Sequence, residues 1–100
     1  MTLASGIEVP TATIADICRR YRIRELAIFG SAARGDMRPD SDVDIMIELE
    51  PGYHPGLVWW DLEDELEAVF ERKIDAMQKK QLKPRVLAEA ERDAVVLYAA

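Results

Sequence analysis

An alternating segment near the middle of the chain places the tightest constraint on the fold. Asp42 and Asp44 are separated by one residue, so both side chains point to the same side if this segment is a β-strand. Val43, Ile45 and Ile47 then point to the opposite side, which we expect to pack on the core. Two close carboxylates repel each other unless a cation lies between them. The sequence therefore predicts a strand with one apolar side and one side suited to a metal ion.

The residues before this strand have the pattern of a buried strand, a glycine turn and a short helical turn. Residues 25–29 are nearly all apolar, as expected of a central strand, and Gly30 ends them. Ser31 begins a helical turn that carries Arg34. Glycine lets the backbone approach a ligand closely, and the free N–H groups of a first helical turn attract phosphate. We interpret this turn as a candidate site for a triphosphate.

Apolar periodicity elsewhere predicts three further helices and two further strands. The first helix is expected to be capped by Thr11 or Thr13, and the other two are expected to run from Leu57 to about Arg72 and from Pro84 to about Arg92. The strands are expected over residues 73–78 and 94–98. Residues 1–10 have no periodicity and are expected to form a flexible tail. The sequence thus predicts one domain over residues 1–100, with an α/β (α+β) fold in which a small mixed sheet is flanked by helices.

Two of these helices are expected to be amphipathic. Their apolar sides comprise Ile14, Ile17, Cys18 and Tyr21 in the first helix, and Val58, Leu62, Leu66, Val69 and Phe70 in the long one. The other side of the long helix is acidic (Asp61, Glu63, Asp64, Glu65, Glu67 and Glu71) and either faces solvent or docks onto a basic partner. Trp59 and Trp60 diverge by about 100° around the helix. One of the two is therefore expected in the core or at its rim, and the other is a candidate interface anchor.

Two further groups of polar residues have a simple structural interpretation. Arg19, Arg20, Arg22 and Arg24 cluster at the end of the first helix, where cations complement the helix dipole. We interpret them as a solvated helix end; the alternative is that one of them reaches a phosphate or an acidic partner. His54 is the only histidine and is interpreted as an ordinary loop residue.

Composition excludes several classes of protein. The 100 residues are 49% hydrophobic and 32% charged, as in a globular domain, and carry a net charge of -6. Direct binding to nucleic acid is not expected of an acidic chain, although a divalent cation can bridge its carboxylates to a phosphate. The single cysteine excludes an intrachain disulfide and favours a reducing compartment. With no membrane-length apolar run and no signal-peptide pattern, the expected location is the cytoplasm.

A third carboxylate adds to the pair formed by Asp42 and Asp44. Asp75 lies in the middle of the third predicted strand. Asp42 and Asp44 have the oxygen ligands that Mg²⁺ prefers, and Asp75 is placed either to hold a second metal or to take the proton of an attacking hydroxyl. An Asp-x-Asp pair or a Gly-Ser pair alone is a weak signal, but their ordered combination with Asp75 is specific. The residues themselves predict nucleotidyl or phosphoryl transfer.

The combined motif resembles that of the polymerase-β-like nucleotidyltransferases, and most resembles the minimal nucleotidyltransferases (MNT) of bacterial and archaeal toxin–antitoxin pairs. The matching residues are Gly30-Ser31, Arg34-Gly35, Asp40-Ser41-Asp42-Val43-Asp44 and Arg72-Lys73-Ile74-Asp75, and the resemblance covers about residues 24–98. It implies the polymerase-β-like fold, metal binding by Asp42, Asp44 and Asp75, and a role for Asp75 as base. It also implies nucleotide binding by Gly30, Ser31, Arg34 and Ser41. Arg34 has an alternative structural interpretation, in which it pins the loop by pairing with Asp36 or Asp40.

The resemblance further implies an activity and a partner. MNT proteins are antitoxins encoded beside HEPN-domain ribonuclease toxins, and some transfer AMP from ATP to a toxin tyrosine. We therefore expect an active Mg²⁺-dependent enzyme (Mn²⁺ is an alternative metal) with ATP as substrate and a HEPN toxin as partner in a hetero-oligomer. The length leaves no room for the extra substrate-binding domains of larger relatives, so the partner is expected to supply the acceptor surface. The alternatives are an antitoxin that neutralises by complex formation alone, and a small-molecule nucleotidyltransferase.

Overall fold

A mixed four-stranded sheet organises the chain, and the computed structural model describes all of residues 1–100. In chain order the elements are α1 (Thr11–Arg20), β1 (Ile23–Phe29), α2 (Ser31–Arg34), β2 (Val43–Leu49), α3 (Val58–Phe70), β3 (Ile74–Gln78), a 3-10 turn (Lys79–Gln81), α4 (Pro84–Asp93) and β4 (Val95–Ala99). Every helix and strand expected from the sequence is present, with small shifts at the ends.

The strand order is β3-β2-β1-β4, so the two most apolar strands lie in the middle. β1 pairs antiparallel with both β2 and β4, and β2 pairs parallel with β3. A parallel pair needs a crossover connection, and α3 provides it. The expected mixed sheet flanked by helices is confirmed.

The two faces of the sheet are covered unequally. On one face, Ile45 and Ile47 are fully buried in the main core together with Leu62 and Leu66 of α3, and with Ile14 of α1. The opposite face carries a smaller cluster of three buried residues, in which α4 contributes one side chain: Ala27, Met46 and Ala90. Asp44 shares its side of β2 with Met46, so the carboxylates lie on the sparsely covered face.

The N-terminal segment differs from the expected flexible tail. Leu3 and Val9 are 5% and 1% exposed, and both belong to the main core. The Val9 N–H donates to the Met1 carbonyl at 2.6 Å, and Thr2 and Glu8 form an antiparallel bridge. The prediction is wrong because two isolated apolar side chains have no periodicity in sequence, although their burial stabilises an ordered turn.

The ends of two helices also differ from expectation. Neither Thr11 nor Thr13 caps α1; Pro10 occupies the cap position, and its carbonyl accepts the Ile14 N–H at 3.0 Å. Val58, assigned to the apolar side of α3, is 40% exposed because the helix begins at this residue, before its buried positions start.

None of the helices has the length and hydrophobicity that a membrane span requires.

Three of the four arginines near the end of α1 pair with carboxylates of this chain. Arg20 donates to Glu65 of α3 at 2.7 Å, Arg22 pairs with Glu50 at 3.2 Å, and Arg24 lies 3.7 Å from Glu48. These pairs are largely solvent-exposed, so water and salt screen them and each contributes little to stability. Arg19 remains exposed.

Cys18 gives a direct test of the core on the α1 side. It is completely buried, and burial raises the pKa of its thiol to about 12. Because the thiolate is the reactive form, we expect a thiol reagent to modify the folded chain far more slowly than the chain in denaturant at neutral pH. Rapid stoichiometric labelling of the folded chain would contradict the burial of α1 against the sheet.

Candidate active site

Asp44 and Asp75 are brought side by side by the parallel pairing of β2 and β3. The register places the two residues opposite each other, and residues opposite each other in a sheet point to the same face. Asp42 precedes β2 and is exposed, Asp44 is half-buried, and Asp75 is exposed on the edge strand. Three carboxylates from two segments of the sequence, residues 42–44 and Asp75, therefore lie at one end of the sheet.

Burial and the neighbouring carboxylates shift the pKa of Asp44. Burial raises the pKa of the Asp44 carboxyl above its usual range, and the negative charges of Asp75 and Asp42 raise it further. The Arg34 guanidinium opposes the rise. The ionised form of Asp44 is thus disfavoured, and a cation bound nearby would favour it.

Gly30 makes room for the Asp44 carboxylate. Its backbone angles, φ 70° and ψ -152°, lie in a region that is essentially restricted to glycine. A Cβ atom at this position would overlap Asp44 Oδ2 and would lie 3.3 Å from Cγ. The register explains the contact, because Phe29, the last residue of β1, pairs with Asp44. The absence of a side chain at Gly30 therefore leaves room for the Asp44 carboxylate. Glycine at this position would also let a ligand approach the backbone closely.

The helical turn after Gly30 is the one expected from the sequence. The Gly30 carbonyl accepts the N–H groups of Ala33 and Arg34, at 3.1 and 3.0 Å. This arrangement places Ser31, which is half-buried, in the first turn of α2. Nucleotide binding by Gly30 and Ser31 stays a prediction at this point.

Arg34 ties the glycine turn to the last helix. Its Nη1 donates to Asp93 at 2.9 Å and its Nε donates to Asp36 at 3.3 Å. The pairing with Asp36 agrees with the structural interpretation of Arg34, whereas no pairing with Asp40 is formed. Asp93, at the end of α4, was not singled out from the sequence, because it lies 59 residues away and no local pattern marks it.

Ser41 organises the loop that leads into Asp42. Its hydroxyl accepts the Arg38 N–H at 3.0 Å, and its own N–H donates to the Arg38 carbonyl at 3.0 Å. Arg72 Nη1 donates to the Pro39 carbonyl of the same loop at 3.4 Å. A polar cavity of about 820 Å³ lies beside Asp42, between this loop, residues 5–8 and residues 69–73.

Two acidic residues of α3, Glu63 and Glu67, contact the edge strand that carries Asp75. The sequence pattern predicted only solvent exposure or docking for them. Glu67 Oε2 accepts the Ile74 N–H at 3.2 Å, and Glu63 accepts a hydrogen bond from the Ala76 backbone. Burial raises the pKa of the Glu63 carboxyl, with the charges of Glu67 and Asp75 adding to this rise, whereas the Ala76 and Trp59 hydrogen bonds oppose it. The i, i+4 spacing of Glu63 and Glu67 thus matches the alternate N–H groups of an edge strand. The spacing is visible in the sequence, but any acidic side of a helix shows it.

Two substitutions of Glu67 test its hydrogen bond with the Ile74 N–H. We expect Glu67→Ala to lower the free energy of unfolding by about 1–3 kcal/mol, since it leaves the part-buried Ile74 N–H without its acceptor. Glu67→Gln keeps a carbonyl acceptor and is expected to cost less. Urea unfolding of the two variants measures both values, and an equal loss in both would exclude the hydrogen bond as the cause.

The three carboxylates do not form a metal site by themselves. No group of three or more His, Cys, Asp or Glu side chains is close enough to hold an ion. Mg²⁺ usually takes one or two protein carboxylates and completes its shell with water and substrate phosphates. The half-buried Asp44, with Asp42 and Asp75 near it, fits a cation that arrives with a phosphate ligand.

The chain is similar to known nucleotidyltransferases over most of its length. The family model described as polymerase beta, nucleotidyltransferase matches residues 12–100. Protein adenylyltransferase MntA of Thermococcus cleftensis is 33% identical over 96 residues, which cover 95% of each chain.

Two solved structures share the fold. One is a toxin–antitoxin crystal structure with AMP-PNP, with a TM-score of 0.74 at 16% identity, covering 92% of this chain and 75% of that one. The other is a tri-AMPylated Shewanella oneidensis HEPN toxin in complex with an MNT antitoxin, with a TM-score of 0.65 at 14% identity, covering 90% and 70%. The likeness of these structures and the family match confirm the fold expected from the motif. The chain belongs to the polymerase-β-like nucleotidyltransferase family and is a homologue of the protein adenylyltransferase MntA.

Proposed function

We propose that this chain is a cytoplasmic antitoxin that transfers AMP from ATP to a tyrosine hydroxyl of a HEPN-domain toxin and so forms a hetero-oligomer with it. The packing of Gly30 against Asp44, with Asp75 in register beside it, is the observation that carries the proposal. A relative named protein adenylyltransferase supports the reaction type. The neighbouring complexes with AMP-PNP and with an AMPylated HEPN toxin support the nucleotide and the acceptor.

The residues have separate roles in this proposal. Asp42 and Asp44 would hold Mg²⁺ (or Mn²⁺), and the ion would neutralise the charge of the triphosphate. Gly30 and Ser31 bind the triphosphate through the first turn of α2. Arg34, paired with Asp36 and Asp93, adds positive charge near Asp44, and Ser41 shapes the loop beside the cavity next to Asp42. Gly30 and Arg34 do not line that cavity; they line a separate cavity of about 190 Å³ next to α4.

The transfer is a single displacement at phosphorus. Asp75 accepts the proton of the attacking tyrosine hydroxyl, whose oxygen forms a bond to the α-phosphorus of ATP. The bond from that phosphorus to the bridging oxygen breaks, and pyrophosphate leaves with the electron pair. The proton passes from Asp75 to solvent, to which this edge-strand residue is exposed. Asp75 has an alternative role as ligand of a second metal ion.

Intact-mass measurement of the partner tests this function. The purified chain, ATP, Mg²⁺ and the HEPN protein encoded by the neighbouring gene are incubated together, and one or more AMP groups are expected on the HEPN protein. The Asp42→Asn, Asp44→Asn double variant is expected to leave the mass of the HEPN protein unchanged and to lose protection of cells. Equal protection by both forms without any change in mass would contradict enzymatic neutralisation.

That outcome would favour neutralisation by complex formation alone. One observation favours this second function, namely the exposed apolar residues at the start of α3, which include Leu57 at 83% and Trp60 at 61% exposure. A surface of this kind is typical of protein interfaces and needs no catalysis.

A further inference from the structure

The start of α3 exposes an unusual concentration of apolar side chains. Leu57, Val58 and Trp60 are 83%, 40% and 61% exposed, and they make up half of the large exposed hydrophobic residues of the chain. None of them is required by the core, which α3 joins through Leu62 and Leu66. Exposed aromatic and aliphatic groups that lie together mark interaction sites more often than chance positions.

A groove continues this apolar surface to the edge of the sheet. Its volume is about 410 Å³, and it lies between Trp59 and Trp60 on one side and residues 76–78 of β3 on the other. Trp59 is half-buried, packs against the main core and hydrogen-bonds Glu63, so it forms a fixed wall. Trp60 has no such support and is free to contact a partner. Trp59 therefore lies at the rim of the core, and Trp60 is the candidate interface anchor.

The groove adjoins the candidate active site. Met77 lines it and points to the same side of β3 as Asp75, because the two residues are separated by one position. Two residues along a strand span about 7 Å. A protein that fills the groove therefore lies within a side-chain length of Asp75.

Charge around this surface indicates the chemistry of the partner. Asp61 follows Leu57 by one helical turn and Asp64 follows Trp60 by one turn, so a carboxylate neighbours each exposed apolar residue. Both aspartates are exposed, and the chain as a whole carries a net charge of -6. The α3 side of the apolar centre is therefore acidic, whereas Lys80 lines the groove on the opposite side. The acidic side is complementary to an apolar side chain flanked by lysine or arginine.

We propose that the docking face, formed by Leu57, Val58, Trp60 and the groove beside them, binds the acceptor protein through an apolar side chain flanked by basic residues. This inference rests on the proposed function for the identity of the partner. Trp60 is the anchor of the docking face, Trp59 is its wall, and the seated protein presents its hydroxyl to Asp75.

A double variant, Leu57→Ala with Trp60→Ala, tests the docking face. The probe is the HEPN protein encoded by the neighbouring gene, and the matched control is Val96→Thr, which removes exposed apolar surface from β4 at the far edge of the sheet. We expect the double variant to bind the HEPN protein at least about 30-fold more weakly by calorimetry, and the control to bind as the wild type does. In transfer assays the KM for the HEPN protein rises, while kcat at saturation and the melting-temperature increase caused by ATP and Mg²⁺ are unchanged.

The outcomes separate this inference from the proposed function. If the wild type transfers AMP and the double variant does so with the same KM, the docking face is excluded and the function stands. If the wild type transfers no AMP, the function fails, and calorimetry alone decides the docking face: weaker binding by the double variant supports it and equal binding overturns it. A wild-type homodimer that the double variant dissociates would also overturn it, since the occupant would then be a second copy of this chain.

Discussion

We expect Asp44→Asn to remove nearly all AMP transfer while making the nucleotide-free chain more stable. The substitution keeps the size of the side chain and removes its charge. Loss of a preorganised charge at a transferring phosphoryl group costs about 100-fold to 1,000-fold in rate, so kcat/KM is expected to fall by at least about 100-fold.

The gain in stability follows from the raised pKa of the Asp44 carboxyl, whose main cause is burial. Because this pKa is higher in the folded chain than its ordinary value of 3.8, the folded state binds the proton more tightly than the unfolded state does. The stability from this group is fully present below the ordinary value and is lost as the pH rises through the folded value. At neutral pH the ionised carboxylate therefore opposes folding, and asparagine removes that penalty.

Urea unfolding at several pH values, together with transfer assays, tests both parts. The midpoint of Asp44→Asn should exceed that of the wild type at neutral pH, and the difference should vanish in acid. Glu91→Gln, which removes one charge from an exposed position of α4, is the control and should change neither property. A variant that is less stable than the wild type at neutral pH would contradict the crowding of carboxylates around Asp44.

The second large effect is expected at Gly30. Gly30→Ala introduces a Cβ atom in a backbone region reserved for glycine and directly against the Asp44 carboxylate. Backbone strain alone costs about 1–3 kcal/mol, and displacement of the carboxylate adds a loss of activity. We expect both the free energy of unfolding and kcat/KM to fall, the latter at least tenfold if the carboxylate moves by about 1 Å.

A double-mutant cycle separates strain from contact. Gly52 also has a positive φ, 79°, but nothing lies within 4 Å of its Cβ position, so Gly52→Ala reports strain alone. In an Asp44→Ala background, Gly30→Ala should cost less than it does in the wild type, whereas the cost of Gly52→Ala should be the same in both. A cost of Gly30→Ala that does not depend on Asp44 would exclude the contact as its cause.

The sequence predicted those parts of the molecule that depend on local patterns. The period of two around Asp44 correctly placed Ile45 and Ile47 in the core, since side-chain alternation is a property of any strand. The glycine turn and the helical turn with Arg34 were predicted for the same reason, because a positive φ and a helix start are local features. The family motif also predicted that Asp75 joins Asp42 and Asp44, and the register of β2 with β3 places Asp75 opposite Asp44.

Contacts between distant segments were not predictable in the same way. The pairing of Arg34 with Asp93 and the hydrogen bond from Ile74 to Glu67 depend on how α4 and α3 dock on the sheet. An acidic residue that accepts an edge-strand N–H looks in sequence like any other charge on an amphipathic helix. The N-terminal segment shows the same limit, because the burial of Leu3 and Val9 depends on the core that later elements build.

The position of the label transferred from ATP distinguishes nucleotidyl transfer at this site from other reactions of ATP. Wild-type chain and HEPN protein are incubated with Mg²⁺ and ATP radiolabelled at either the α- or the γ-phosphate. Nucleotidyl transfer at the Asp44 and Asp75 site predicts that the α-label becomes bound to the HEPN protein and that the γ-label is released as pyrophosphate, with neither result in Asp44→Asn. Transfer of the γ-label to the HEPN protein, or α-labelling that persists in Asp44→Asn, would contradict the account.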